Sequence, residues 1–260
     1  MKGIHTMIRS KILITSVLCL VVLLASLSIG TVSAAAATER PSYDAYASKY
    51  AASKRPVLKL GTTQLHATKA VQSRLYGFKY MELKDITGVY NRKTKQAVMA
   101  FQGWEGLKIT GDVDAKTWAA LDKAQTPFLY PSQIPGYGNY PELKVTKKQS
   151  GKKYVVVDIK KQVMLIMTTK GGRHFPERIL HTSTGKTSTP THRGNWRIYY
   201  KTETSSLGLK WLAAYDGNYA FHESDEVPHY PASHGCMRVT SENSKYVYDQ
   251  LKIGTPIFIY

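Results

Sequence analysis

The chain opens on an apolar run. Ile12–Ile29 carries no charged residue and follows a positive start at Lys2, Arg9 and Lys11. From residue 57 to residue 125 the apolar positions recur at helical spacing. Ala70, Val71, Arg74 and Leu75 predict a helix over Thr68–Tyr76 that Gly77 ends. Asn91 is an N-cap for a helix over Lys93–Gly103, with Ala97, Val98 and Phe101 on one face. Asp114 caps a third, Ala115–Leu121. Beyond residue 150 the pattern becomes β-rich. Tyr154–Ile159 and Gln162–Met167 predict a hairpin turning at Lys160 and Lys161. Asn195–Tyr200, Tyr219–His222 and Pro256–Tyr260 predict further strands. Ser241 caps a late helix, Ser241–Leu251, whose apolar face is Tyr246, Val247 and Leu251.

These patterns divide the chain. Residues 1–34 are a signal peptide, because small residues at Ser33–Ala36 end the apolar run. If uncleaved, the run nearly reaches the ~20 residues that span a bilayer, and it becomes a membrane anchor. Residues 35–56 are polar and aperiodic and read as a spacer. Residues 57–125 form a small helical domain. The proline- and glycine-rich residues 126–150 form a linker, and residues 151–260 form the second domain. The fold class is α+β: three short helices, then a sandwich or barrel-like sheet domain.

Charge gains meaning from export. The net charge is +18, which favours polyanions. Without residues 1–34 the chain keeps 33 basic and 18 acidic residues, a charge of +15. An exported basic protein points to an anionic cell envelope and away from nucleic acid. Export also isolates one cysteine. Cys19 lies in the apolar run, so Cys236 stands alone beyond it and reads as a reactive or a buried thiol.

Cys236 sits in the stretch with the most chemistry, Phe221–Arg238, together with His222, His229 and His234. A thiol with a pKa near 8.5 needs a nearby base to become a nucleophile, and histidine titrates in the right range. Gly235 permits a tight turn that aims backbone N–H groups at a developing oxyanion. All eight histidines precede Cys236, the reverse of papain-like enzymes, and the gap is shorter than in sortases. His222, His229, His234 and Cys236 could also make a tetrahedral zinc site, but no Cys-x-x-Cys pair accompanies them, so neither metal nor cofactor is expected.

The motif Ser233-His234-Gly235-Cys236-Met237-Arg238 resembles the signature of the L,D-transpeptidases with a YkuD-type catalytic domain. Val155–Gln162 and Ser183–Trp196, with its Thr-Gly…Thr-Pro-Thr, resemble that family's upstream segments. Leu58–Gly61, Val71–Leu75, Ala97–Gln102 and Thr110–Trp118 resemble the three-helix peptidoglycan-binding domain. The resemblance implies Cys236 as nucleophile and His222 as general base, with Ser233, His234 and Gly235 shaping the loop. Arg238 and Tyr230 would bind substrate. The spacing of 14 positions from His222 to Cys236 is shorter than in many members, which keeps His229 as a rival base.

The implied reaction is a transfer between stem peptides of peptidoglycan. A tetrapeptide stem loses D-alanine and a cross-link joins two third residues. L,D-carboxypeptidase action, D-amino-acid exchange and a non-catalytic wall-binding role are the alternatives. Stem peptides and glycan are the implied partners, with anionic wall polymers beside them and carbapenems as covalent inhibitors.

Overall fold

The computed structural model describes residues 43–127, 129–140, 143, 151–217 and 219–260. The expected signal peptide, the first residues of the spacer and most of the linker after Tyr140 lie outside the described residues. Among the described residues, no helix is long and apolar enough to cross a membrane.

The N-terminal part is helical: α1 (described over 43–47), α2 (Leu65–Gly77), α3 (Arg92–Trp104) and α4 (Ala115–Lys123). The two expected caps are made. Asn91 Oδ1 accepts from the Thr94 N–H at 2.9 Å, and Asp114 Oδ1 accepts from the Thr117 N–H at 2.8 Å. Each satisfies a donor that the first helical turn leaves without a partner. Ala97, Val98, Phe101, Trp118 and Leu121 turn inward as the periodicity predicts.

Residues 43–56, in the stretch read as a spacer, belong to this packing. Tyr43 stacks on Trp118 with ring centroids 6.4 Å apart, and Arg55 forms a 2.8 Å ion pair with Asp122 on α4. Tyr43 and Tyr46 close the core without any periodic pattern to announce them.

The rest is two sheets. Strand β1 (Lys153–Asp158) pairs antiparallel with β2 (Val163–Lys170), the expected hairpin. With β3 (Arg173–His181), β4 (Gly194–Arg197) and β9 (Pro256–Ile259) they form a sheet of order β3-β2-β1-β9-β4. The second sheet has order β5-β6-β7-β8, from β5 (Tyr200–Thr204), β6 (Lys210–Asp216), β7 (Tyr219–Glu223) and β8 (Met237–Val239). Helix α5 (Ser241–Gln250) packs on β6 and β7.

Two details differ from the sequence reading. The strand expected over Asn195–Tyr200 is two strands, because the chain crosses between sheets at Ile198 and Tyr199. The Ile198 N–H donates to Thr255 O, and the next N–H, of Tyr199, donates to Ala214 O in the other sheet. The cap position of α5 is Thr240, and Ser241 is already the first helical residue.

The five-stranded sheet is covered on both faces. Val155, Val157, Ile257 and Ile259 face the second sheet. Tyr154, Val156, Leu165 and Phe258 face the helical domain and the linker tyrosines Tyr137 and Tyr140. Double coverage explains why β1 reads as a continuous apolar run rather than an alternating one. His174 is sealed in this layer. Its Nδ1 lies 3.0 Å from the Tyr154 hydroxyl and its Nε2 3.2 Å from that of Tyr137.

The helical domain therefore sits on the sheet as part of the core. The Ile179 N–H donates to Lys79 O at 2.8 Å, and Arg178 pairs with Glu82 at 2.7 Å. Arg92 pairs with Glu242 at 3.1 Å. Such a surface pair contributes at most about 1 kcal/mol, whereas each fully buried valine contributes about 1.5–3 kcal/mol. Apolar contact thus dominates the joint. Gly103 is its closest approach: a Cβ there would lie 2.4 Å from Lys161 O. Gly103→Leu should lower the urea midpoint, with a loss of about 1–3 kcal/mol from overpacking. An unchanged midpoint would mean that the two surfaces are not in contact.

Candidate active site

The site is built on a parallel strand pair. Strands β7 and β8 run side by side with Phe221 opposite Met237 and His222 opposite Arg238. Side chains alternate along each strand. Phe221, Met237 and Val239 point into the core between the sheets, so His222 and Arg238 share the other face. Cys236 immediately precedes β8 and lies on that face beside Ala220, whose backbone hydrogen-bonds the thiol.

The thiol is half-buried. Burial pushes Cys236 above its ordinary value, and the Ala220 backbone and the Arg238 guanidinium only partly offset this. His222 is buried, and that burial holds it below the usual imidazole range. Its contact with the Glu223 carbonyl works the other way, and nearby Arg238 adds to the lowering. Low dielectric disfavours both charged forms, so the resting pair is a neutral thiol and a neutral imidazole. His222 Nδ1 lies 2.6 Å from Glu223 O. A carbonyl can only accept, so Nδ1 carries the proton and Nε2 is the basic nitrogen.

The turn before Cys236 is held by a segment more than forty residues upstream. Gly185 bridges to Ser233 and Ser183 to Arg238. The Ser233 N–H donates to Thr184 O, and the Lys186 N–H donates to Ser233 O. Thr191 Oγ1 donates to Gly235 O at 2.7 Å and accepts from the Gly185 N–H at 2.8 Å. Ser233 Oγ donates to Cys236 O at 2.5 Å and accepts from the Gly235 N–H at 3.1 Å. Gly235 has φ +120°, and a Cβ there would meet the Tyr219 ring at 2.2 Å. Glycine is required by both the backbone and the space.

The other expected residues are distributed around this turn. His234 is exposed, with Nε2 3.3 Å from Lys186 Nζ. It braces the outside of the loop. His229 is also exposed and packs edge-on against Tyr230 at 5.0 Å. Tyr230 is 54% exposed, and its carbonyl accepts from Ser183 Oγ. Arg238 Nη1 reaches Glu226 O at 3.4 Å. Among the described residues, no group of three or more His, Cys, Asp or Glu side chains is placed to hold a metal ion.

The residues that sequence reasoning left without a role are Thr184, Gly185, Thr191 and Tyr219. Thr184, Gly185 and Thr191 belong to the Thr-Gly…Thr-Pro-Thr run, and Tyr219 opens β7, but nothing in the spacing shows that they enclose Gly235. Tyr215 on β6 was also missed. Its hydroxyl is buried without a hydrogen-bond partner among the described residues, and that burial raises its pKa, with Cys236 close enough to add to the shift. His192, adjoining Thr191, lies 2.7 Å from Asp216 and edge-on to Tyr219.

The site is a cysteine turn beside a buried histidine on a two-sheet domain that is joined to a small helical domain. Residues 152–259 match the L,D-transpeptidase catalytic domain family (YkuD), and residues 66–121 match the family described as a putative peptidoglycan binding domain. An L,D-transpeptidase from Xylanimonas cellulosilytica is 30% identical, covering 79% of this chain and 98% of its own, with a TM-score of 0.63. The chain belongs to the L,D-transpeptidase family. An L,D-transpeptidase from Stackebrandtia nassauensis is 19% identical over 80% of this chain and 95% of its own, with a TM-score of 0.42. An L,D-transpeptidase solved in complex with imipenem is 19% identical over 42% of this chain and 59% of its own, with a TM-score of 0.35. No curated protein matches the chain.

The upward shift of Cys236 sets the pH behaviour of the thiol. Thiolate absorbance near 240 nm, taken as wild type minus Cys236→Ser, should rise with a midpoint above pH 9.0, the ordinary value from which Cys236 is raised. A transition centred below neutrality would show a resting thiolate–imidazolium pair instead.

Proposed function

We propose that this protein is an exported L,D-transpeptidase that uses Cys236 as its nucleophile and His222 as its general base. The observation that carries the proposal is the β7–β8 register, which puts the thiol and the imidazole on one face of adjacent strands. The family match supplies the substrate class, and the helical domain supplies attachment to the wall. The signal peptide reading and the wall location rest on the N-terminal pattern.

The chemistry follows from the neutral pair. When a tetrapeptide stem binds, the Cys236 proton passes to His222 Nε2, and Sγ attacks the carbonyl of the third residue. The developing oxyanion meets backbone N–H groups of the Gly235–Cys236 turn. The Gly235 N–H must leave Ser233 Oγ to join them, because that bond already occupies it. The proton on His222 then passes to the departing D-alanine nitrogen as the C–N bond breaks, which leaves a thioester on Cys236. The side-chain amine of a third residue in a second stem attacks that thioester and gives its proton to His222. The C–S bond breaks, the thiolate leaves and is reprotonated, and a cross-link between two third residues remains. Water in place of the amine makes the same site an L,D-carboxypeptidase, and a free D-amino acid makes it an exchange enzyme.

His222 is preferred to His229 on burial and orientation. His222 is buried on the thiol's own face with Nε2 as its basic nitrogen, whereas His229 is exposed against Tyr230. Loss of a general base costs typically about 10²–10⁴-fold. His222→Ala should therefore lower the rate of D-alanine release from tetrapeptide stems by about that factor, and His229→Ala should lower it far less. Cys236→Ala should release none. Turnover by the alanine variant would move the nucleophile elsewhere, and the reverse ranking of the histidines would make His229 the base.

A further inference from the structure

A groove runs between the two domains and reaches Arg238, the strand partner of His222 in the candidate active site. Its cavity volume is about 740 Å³. One wall is α3 and its neighbours, with Leu60, Lys95, Gln96 and Met99; the other is the loop after β7, with Asp225, Glu226, Val227 and Tyr230. Arg238, opposite His222 in the strand register, lines it as well.

The groove lies along a joint that hydrogen bonds and ion pairs cross. Ile179 to Lys79, Arg178 to Glu82 and Arg92 to Glu242 tie the domains around it. Its charges are arranged across it and left open. Lys95 on one wall has no ion-pair partner among the described residues, and neither have Asp225 and Glu226 on the other. Leu60, Met99, Val227 and Tyr230 give the groove an apolar lining between these charges.

This pattern selects among wall components. A neutral glycan strand needs neither charge. A polyanion meets Lys95, Arg92 and Arg238 but has no amine to set against Asp225 and Glu226. A peptide with carboxylates at one point and an ammonium group at another satisfies both walls. A stem peptide with a diamino acid at its third position has that chemistry, and the volume lies within the range of small-ligand sites.

We infer that the interdomain groove is a stem-peptide subsite, in which the helical domain contributes Lys95 to substrate recognition beyond any general attachment to the wall. Lys95 takes a stem carboxylate, Asp225 and Glu226 take the free amine, and Tyr230 and Arg238 lead from the groove toward the Cys236 turn. The inference rests on the L,D-transpeptidase reading for its substrate class.

The test separates binding from turnover. A soluble tetrapeptide stem is titrated into the full exported chain carrying Cys236→Ala, and Kd is read by calorimetry. In that background Lys95→Glu should weaken binding about tenfold, as should the pair Asp225→Asn and Glu226→Gln. Leu60→Glu, an exposed position that leaves the core untouched, should weaken it as well. Amidating the carboxylates of the stem should cost the Cys236→Ala protein the same factor, cost a Lys95→Ala variant nothing further, and improve binding to the Lys95→Glu variant by removing a repulsion. In the wild-type background the same changes should raise KM for D-alanine release or for acceptor stem by a similar factor with kcat little changed, and which of the two moves tells donor from acceptor. Equal Kd in all the variants would overturn the subsite. Absence of D-alanine release by the wild type with Kd still responsive to Lys95→Glu would overturn the enzymatic reading while leaving the groove as a stem-binding site.

Discussion

The structure depends on the double burial of the five-stranded sheet. Val155 and Val157 are committed to one apolar layer, and Tyr154 and Val156 to another. A sheet so placed must be covered twice. The second sheet covers one face and carries the cysteine turn. The helical domain, helped by Tyr137 and Tyr140, covers the other. Neither cover can leave without exposing a row of large side chains to water, at a cost that the surface ion pairs could not offset. The helical domain and the sheet that carries the cysteine turn are thereby packed on one shared sheet.

Within that packing the candidate site works by long-range restraint. The turn at Gly235 has a backbone that L side chains rarely adopt, and it persists because Thr191, Thr184 and Ser233 hold it from both sides. The same enclosure keeps Cys236 and His222 neutral at rest. A neutral thiol is slow to react. In the proposed reaction it becomes a nucleophile only when a bound carbonyl gives the transferred charge somewhere to go, which is the logic of preorganised electrostatic catalysis.

The parts legible in the sequence are those whose cause is local. Asn91 and Asp114 sit one residue before the helices they cap, and helical spacing exposes Phe101 and Trp118 as core. Cys236 lies in one short stretch with His222, His229 and His234, so a thiol with a nearby histidine could be read without knowledge of the fold, while the choice of His222 came from the family resemblance. What stayed hidden depends on partners far along the chain. The grip of Thr191 on Gly235 spans 44 positions. Tyr43 reads as part of a polar spacer because its stacking partner is Trp118. Strand β3 mixes charged and apolar residues at a sheet edge, and the apolar run of β6, Trp211–Tyr215, holds two alanines and no β-branched residue, so neither shows the valine run that revealed β1. The groove was invisible for the same reason, since its two walls are more than a hundred residues apart in sequence.

The central claim is that Cys236 carries the acyl group. Intact mass and peptide mapping after incubation with a carbapenem test it most directly, because they locate the covalent bond without requiring a natural acceptor. The account predicts one adduct per chain, mapped to the peptide containing Cys236 and absent from Cys236→Ala. A folded wild-type protein that gains no adduct, or one whose adduct maps to another residue, would contradict it.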